Sequence, residues 1–357
     1  MTDFSMVEDV GTIAAELGDS QCIGLDTEFM REKTFFAELC LVQISTHKEI
    51  YCIDPLARTD MSQFWASAMQ TPWVVHSARQ DIEVIYQAAE QMPVQLFDTQ
   101  IAAGLLGHAP QMGYATLVSE LFDVEIPKSH TRADWSRRPL SDAVMQYAAE
   151  DVEYLLPARD ILAEQLDKLN RLQWADEDSA MLLDPALYDI DPQAAIKRLK
   201  GARNMRGRKR SAAARLAAWR ESEALRANRP RQWIARDSAL LEIAFSLPTT
   251  KQQLEAMDDL PAGLVRRSGQ RLLEVVAESA ADDHNHRPPS APNEEQKALL
   301  KKMQAHVADC AEALGLSAEI IAPKKELSAV IIGGDRDSRV FSGWRRELVG
   351  DDLLKLL

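Results

Sequence analysis

Short apolar runs closed by polar or turn residues alternate with longer stretches of helical period over the first half of the chain. The runs mark strands at 21–28, 38–46, 49–53 and 73–76, and Cys22-Ile23-Gly24-Leu25 reads as a buried strand ending at Asp26. Helical spacing covers 78–91, 114–123 and 141–169. Strands first, with helices interleaved and following, predict an α/β domain on a mixed sheet.

A Pro- and Asp-rich passage, Asp184-Pro185 to Asp191-Pro192, then interrupts the pattern and marks a linker or domain edge. Beyond it the spacing is helical throughout. Ser211 to Ala227 places Ala, Leu and Trp219 on one face and stops at Arg229-Pro230, and three shorter helices follow at 237–246, 251–257 and 263–279. Ala280 to Glu295 is polar and Pro-rich, as an exposed linker is. A further helical unit runs from Glu294 through Leu314, 319–322 and 325–332 to 342–357, and the two helical units look like weak repeats of one plan. The predicted limits are a catalytic domain at 1–175, a linker at 176–207, a helical domain at 208–283, a linker at 284–294 and a second helical domain at 295–357.

Composition narrows the alternatives. A chain of 357 residues exceeds one typical core, which agrees with several domains. No stretch approaches the roughly 18 consecutive apolar residues of a membrane span, and the start lacks the basic-then-apolar order of a signal peptide, so a cytoplasmic protein without a membrane partner is expected. Cys22, Cys40, Cys52 and Cys310 form no close pair and read as reduced, mostly buried thiols.

The net charge of −14 is unevenly spread. From Ile196 to Arg236 there are fourteen basic residues against two acids, Glu221 and Glu223, a local +12 that leaves the rest of the chain at −26. A basic band on an acidic body is an electrostatic footprint for phosphate, although a charge run alone is also what a solvated helix carries.

Three short patterns carry the chemistry. Asp26 and Glu28, two apart on a strand, project from one face. Tyr147 and Asp151, four apart on a helix, are stacked neighbours. Between them, Trp73-Val74-Val75 runs into His76-Ser77-Ala78-Arg79-Gln80-Asp81, where Ser77 with Gln80 three residues later has the form of a capping box and puts Asp81 in the first turn of a helix. Each pattern alone has a plain structural account: a solvated strand end, a carboxylate favoured by the helix dipole, a tyrosine packed inward. Their joint chemistry is that of phosphodiester hydrolysis by two metal ions. Asp26 can bridge two ions, Glu28 and Asp81 can hold or orient one, Asp151 the other, and Tyr147 can accept or orient the proton of the attacking water. Hard oxygen ligands suit Mg²⁺ or Mn²⁺.

With Leu25-Asp26-Thr27-Glu28-Phe29, His76 to Asp81 and Tyr147-Ala148-Ala149-Glu150-Asp151 in this order, the chain resembles the ribonuclease D family, in the tyrosine-bearing branch of the DEDD exonucleases. The resemblance continues through Phe97-Asp98-Thr99-Gln100, through Lys128-Ser129, and from Thr131 to Leu140. It covers the whole chain. What it implies is a ribonuclease H-like catalytic domain followed by two all-α HRDC-like domains, with a metal set of Asp26, Glu28, Asp81 and Asp151 beside Tyr147. It further implies two divalent ions, 3′→5′ removal of nucleotides as 5′-monophosphates, RNA partners such as the 3′ ends of tRNA precursors, and a monomer.

Substrate contacts are expected from the residues around these motifs. Backbone near Thr27 and the ring of Phe29 can meet the terminal sugar and base, since aromatic stacking tolerates any sequence. His76 and Gln80 flank Asp81 and can touch the terminal phosphate, or serve only as a strand-end histidine and a cap. Arg132, Trp135, Arg137 and Arg138 form a basic-aromatic cluster suited to phosphate and base, with Trp135 equally suited to packing. His284 and His286 read as linker. The same carboxylates would serve an exonuclease acting on DNA, and a non-catalytic RNA-binding protein with a relic site is the reading from another class.

Overall fold

The computed structural model describes residues 2–7, 9–57, 60–127, 133–282 and 292–357. They form two compact units: Met1–Met30 with Leu39–Tyr188 and Pro292–Leu357, and Arg31–Glu38 with Asp189–Ala291.

The first unit is built on a six-stranded sheet of strands β1 (Ser5–Met6), β2 (Ile23–Met30), β3 (Glu38–Ser45), β4 (Ile50–Ile53), β5 (Trp73–Val75) and β6 (Leu96–Asp98), in the order β1-β4-β3-β2-β5-β6. β3 and β4 are antiparallel, whereas β1 with β4, β2 with β5 and β5 with β6 are parallel, so the sheet is mixed as the pattern predicts. Its apolar positions are sealed: Ile23, Leu25, Leu41, Val42 and Ile44 are buried. Helices α1 (Val10–Asp19), α2 (Ser62–Ala68), α3 (Arg79–Ala89), α4 (Thr99–Leu105), α5 (Tyr114–Phe122), α6 (Asp142–Glu153), α7 (Leu155–Lys168) and α8 (Leu172–Ala180) complete this part. The single helical stretch read over 141–169 is in fact two helices, broken at Tyr154.

At Gly24 helix α7 and strand β3 come close to β2. A Cβ there would collide with the Ser45 hydroxyl and lie 3.0 Å from Leu155 Cβ. The Ser45 hydroxyl itself donates to the carbonyl of Val152 at 2.8 Å. The end of α6 is thus pinned to the sheet one strand away from Asp26, and that brings the third motif to the first.

The capping box at Ser77 is not formed. Ser77 adopts a left-handed conformation (φ 62°), Ala78 is the N-cap residue, and neither caps α3 through a side chain. Instead, the buried carboxylate of Asp98 accepts the N–H groups of Ser77 (3.1 Å) and Ala78 (2.8 Å), along with those of Gln100 (2.8 Å) and Ile101 (3.3 Å) at the start of α4. A carboxylate on the neighbouring strand thus binds backbone donors at the starts of two helices at once. Asp81 nevertheless falls in the first turn of α3, as expected.

The C-terminal helices belong to the same unit. Met303, Val307, Ile321, Leu327 and Trp344 share one core with Leu105, Leu162 and Leu166. Trp174 and Trp344 stack at 4.5 Å, and buried Arg345 donates to Asp178 at 2.7 Å and to the carbonyl of Ile320 at 2.9 Å. Arg171 ties the carbonyls of Leu105 (2.9 Å) and Leu314 (2.7 Å) together.

In the second unit, helices α9 (Gly207–Ala227), α10 (Arg231–Ile234), α11 (Asp237–Ser246), α12 (Lys251–Glu255) and α13 (Ala262–Glu278) enclose Leu216, Leu240, Ile243, Leu264, Leu272 and Val276. Residues 31–38, which follow β2 in sequence, belong here. The side-chain oxygen of Asn228 accepts the N–H groups of Phe35 (3.0 Å) and Phe36 (3.1 Å), and the Arg231 guanidinium lies 4.3 Å over the Phe35 ring. The basic band is partly spent on this architecture. Arg198 and Arg231 bind buried Glu221, Arg220 pairs with Asp237, Arg215 with Asp282 and Glu278, and Arg226 with Glu223. Among the described residues, exposed Lys197, Lys200, Arg203, Arg206, Lys209, Arg229 and Arg236 enter no ion pair. No helix among them is long and apolar enough to cross a membrane.

Candidate active site

Asp26 and Glu28 on β2 and Asp151 on α6 bring carboxylate oxygens within 4.8 Å of one another. Asp81 lies outside that tight trio and lines the same cavity of about 290 Å³, whose walls also include Thr27, Phe29, His76, Gln80, Tyr114 and Tyr147. Asp81 is buried, and its Oδ1 accepts the Thr27 hydroxyl at 2.6 Å. Thr27, expected only to offer backbone, thereby orients a carboxylate with its side chain.

Crowding and burial act against ionisation here. Burial, then the charges of Asp81, Asp151 and Glu28, hold the Asp26 carboxyl well above the usual range. Burial and the charges of Asp151 and Asp81 push Glu28 up to about 9. Burial raises Asp81 to about 7 against the hydrogen bond from Thr27, and Asp151 to about 7 against the hydrogen bond from Tyr147. Among the described residues lining the cavity there is no Lys or Arg. The negative charge must be met by protons or by cations from outside, and four hard oxygen donors fit a divalent metal.

Tyr147 sits beside Asp151, with its phenol pushed up by burial and by the charges of Asp151 and Glu28. Its ring is set by Trp135, 6.3 Å away between centroids. This overturns one expectation. Trp135 is 2% exposed in a cluster with Cys40, Leu41, Cys52 and Met145, so its ring has no face open to a base. Arg138 likewise braces the fold, donating to the Asp54 carboxylate (2.6 and 2.7 Å) and to the carbonyls of Cys40 and Trp135 (both 2.7 Å). Arg137 is exposed. Arg132 lies outside the described residues, as do Lys128, Ser129, Thr131, His284 and His286.

His76 lines the cavity with both ring nitrogens engaged: Nε2 meets the Met112 carbonyl and Nδ1 the Thr99 hydroxyl, each at 2.9 Å. Burial lowers its pKa, and the neutral ring has no nitrogen left for a phosphate. Gln80 is exposed at the cavity and Phe29 is half-buried there. Two residues escaped the reading of the sequence. Asp98 had a legible signal, a carboxylate just ahead of a helical run, but its grip on Ser77 and Ala78 is made through space. Tyr114 had none.

Residues 5–167 match the family model described as a 3′-5′ exonuclease, and residues 209–276 match the HRDC domain. A ribonuclease D of Pseudomonas paraeruginosa is 37% identical over 94% of this chain and 92% of its own length, and one of Acidiphilium cryptum is 37% identical over 98% and 91%. The chain belongs to the ribonuclease D family. It is therefore an enzyme, a 3′→5′ exoribonuclease with an exonuclease domain and an HRDC domain. Ribonuclease D of Escherichia coli, described as an exoribonuclease involved in structured RNA processing, superposes with a TM-score of 0.90 at 26% identity, covering 100% of this chain and 99% of that one. The catalytic core of RRP6 from Trypanosoma brucei gives a TM-score of 0.60 at 26% identity over 78% of this chain and 80% of its own.

Proposed function

We propose that this ribonuclease D-family enzyme removes 3′-terminal nucleotides of RNA as 5′-monophosphates with two divalent ions, Mg²⁺ or Mn²⁺, and trims tRNA precursors and other small RNAs. The observation that carries this reading is the meeting of Asp26, Glu28, Asp81 and Asp151 in one cavity lined by no basic residue. Those four carboxylates would hold the ions, in a ribonuclease H-like domain. Bound there, divalent cations supply positive charge to the phosphate and leaving oxygens and activate water as the nucleophile.

The chain's own groups do the rest. Thr27 fixes one oxygen of Asp81. Tyr147, held as the protonated phenol, orients the attacking water beside Asp151 rather than taking its proton. Phe29 stacks on the terminal base, and Gln80 offers its amide to the terminal nucleotide. His76 contributes by holding the wall of the cavity, and Trp135 by holding Tyr147.

The domain limits read from the sequence, 1–175, 208–283 and 295–357 with their linkers, are part of this proposal, as are the HRDC-like nature of the last of them and a monomeric state. The weak repeat of helical spacing along the sequence is what supports the HRDC-like nature of the last domain. The seven exposed basic residues from Lys197 to Arg236 that enter no ion pair among the described residues suit the second unit to grip the RNA body while the 3′ end is cut. A truncation after Arg198 would remove core residues of the first unit, so charge reversal of these seven is the cleaner test of that division of labour.

The deciding experiment is a time course on 3′-extended tRNA with end-mapped products, run with and without chelator and beside a matched DNA 3′ end. Metal-dependent 5′-monophosphate release from RNA that vanishes in Asp26→Ala supports the proposal. Activity that survives in Asp26→Ala or in chelator overturns it.

A further inference from the structure

One wall of the carboxylate cavity is formed by Tyr114, the first residue of α5. Its ring faces His76 with centroids 5.7 Å apart, and His76 is itself immobilised at both nitrogens. Its hydroxyl oxygen accepts the N–H of Tyr154 at 2.9 Å, at the break between α6 and α7. Ring and oxygen are thus both fixed.

A phenol that accepts one hydrogen bond still has its own proton to donate. Among the described residues, no protein acceptor takes a hydrogen bond from the Tyr114 hydroxyl, and the nearby carboxylates of Asp26 and Asp151 are those assigned to the cations. Once the cavity is filled, the acceptors that remain are oxygens of the substrate. Of these, the non-bridging phosphate oxygens gain charge as the phosphodiester is attacked, so a fixed donor is worth most there.

We infer that Tyr114 is a second phenol acting on the substrate, its O–H donating to a non-bridging oxygen of the scissile phosphate. This rests on the carboxylate cavity being the hydrolytic site. It differs from the role of Tyr147, whose hydroxyl is turned to Asp151.

Tyr114→Phe removes one oxygen and keeps the ring. Steady-state hydrolysis of a short oligoribonucleotide in Mn²⁺ should show kcat down about 10²-fold, with KM and Mn²⁺ affinity within about twofold of wild type. Rates are normalised to Mn²⁺-loaded protein below the melting transition, so that a less stable variant is still read. Replacing the contacted oxygen by sulfur, a weaker acceptor, should slow wild type for one phosphorothioate diastereomer and slow Tyr114→Phe markedly less.

Unchanged kcat overturns the inference. So does a loss of Mn²⁺ affinity in step with kcat, which would make Tyr114 only a latch on α6. An equal sulfur penalty in both proteins overturns it as well. Asp26→Ala run in parallel separates the two levels: if it stays active, the site assignment itself is wrong, and if it is dead while Tyr114→Phe is normal, only the role of Tyr114 falls.

Discussion

The Thr27 hydroxyl donates to Oδ1 of Asp81 at 2.6 Å, joining two motifs that lie 54 residues apart. The residue between the two acids of the first motif thereby orients the acid of the second. Groups that orient metal ligands typically matter 10- to 100-fold in affinity. Thr27→Val should therefore weaken Mn²⁺ binding by about 10- to 100-fold in calorimetric titration, whereas Thr27→Ser, which keeps the donor, should stay near wild type. Equal affinities for the three proteins would remove the orienting role.

Tyr147→Phe should lower kcat by about 10²- to 10⁴-fold, the range for a positioned proton-handling group, and leave Mn²⁺ affinity largely intact. Only the hydroxyl is lost, and Trp135 still packs against the ring. If metal binding collapses with the rate, the phenol holds the ligand set together instead of orienting water.

The raised carboxyl pKa values set a definite pH dependence for the metal-free protein. Asp81 and Asp151 titrate at about 7 in the fold and near 4 when unfolded, so the folded state holds the extra protons between these values. Their effect on stability is thus unfavourable above pH 4, growing as pH rises towards 7 and levelling off beyond it. In chelator, Asp151→Asn should melt like wild type at pH 4 and higher than wild type at pH 7.5. Excess Mn²⁺ should reverse the order at pH 7.5, because only wild type keeps the full ligand set. Melting differences that do not vary with pH would show that the carboxylates are not mutually strained.

Asp98→Ala should destabilise the fold by about 3 kcal/mol in chemical denaturation, since it strips partners from N–H groups at the starts of α3 and α4, and each buried polar group left unpaired costs roughly 1–3 kcal/mol. Asp98→Asn, which keeps one acceptor oxygen, should cost less. Because α3 carries Asp81, Mn²⁺ affinity should fall in the same order. A stable Asp98→Ala protein with normal metal binding would contradict the assignment.

Much of this was legible along the chain. Strands β2 to β5 lie where apolar runs ended in polar residues, and Asp26, Glu28, Asp81, Tyr147 and Asp151 line one cavity. What misled the reading was local plausibility. Ser77 and Gln80 have the spacing of a capping box, but the left-handed backbone at Ser77 moves the N-cap to Ala78, and Asp98 on an adjacent strand takes the Ser77 N–H that the Gln80 side chain would have accepted. Trp135 with Arg137 and Arg138 has the composition of a base-binding surface, yet the indole is buried against Tyr147 and Arg138 is consumed by Asp54. The basic band shows fourteen cations in sequence, and partners such as Glu221 and Asp282 neutralise several of them.

Periodicity and spacing are properties of neighbours along the backbone, and they were enough to indicate most element types and the acids that meet in one cavity. They say nothing about which distant group reaches a given hydrogen bond first. That competition settled the clamp at Asp98, the link from Thr27 to Asp81 and the membership of residues 31–38 in the helical unit. It also merged the C-terminal helices into the exonuclease core. Each is a contact across tens to hundreds of residues, and only the packed chain brings such partners within range.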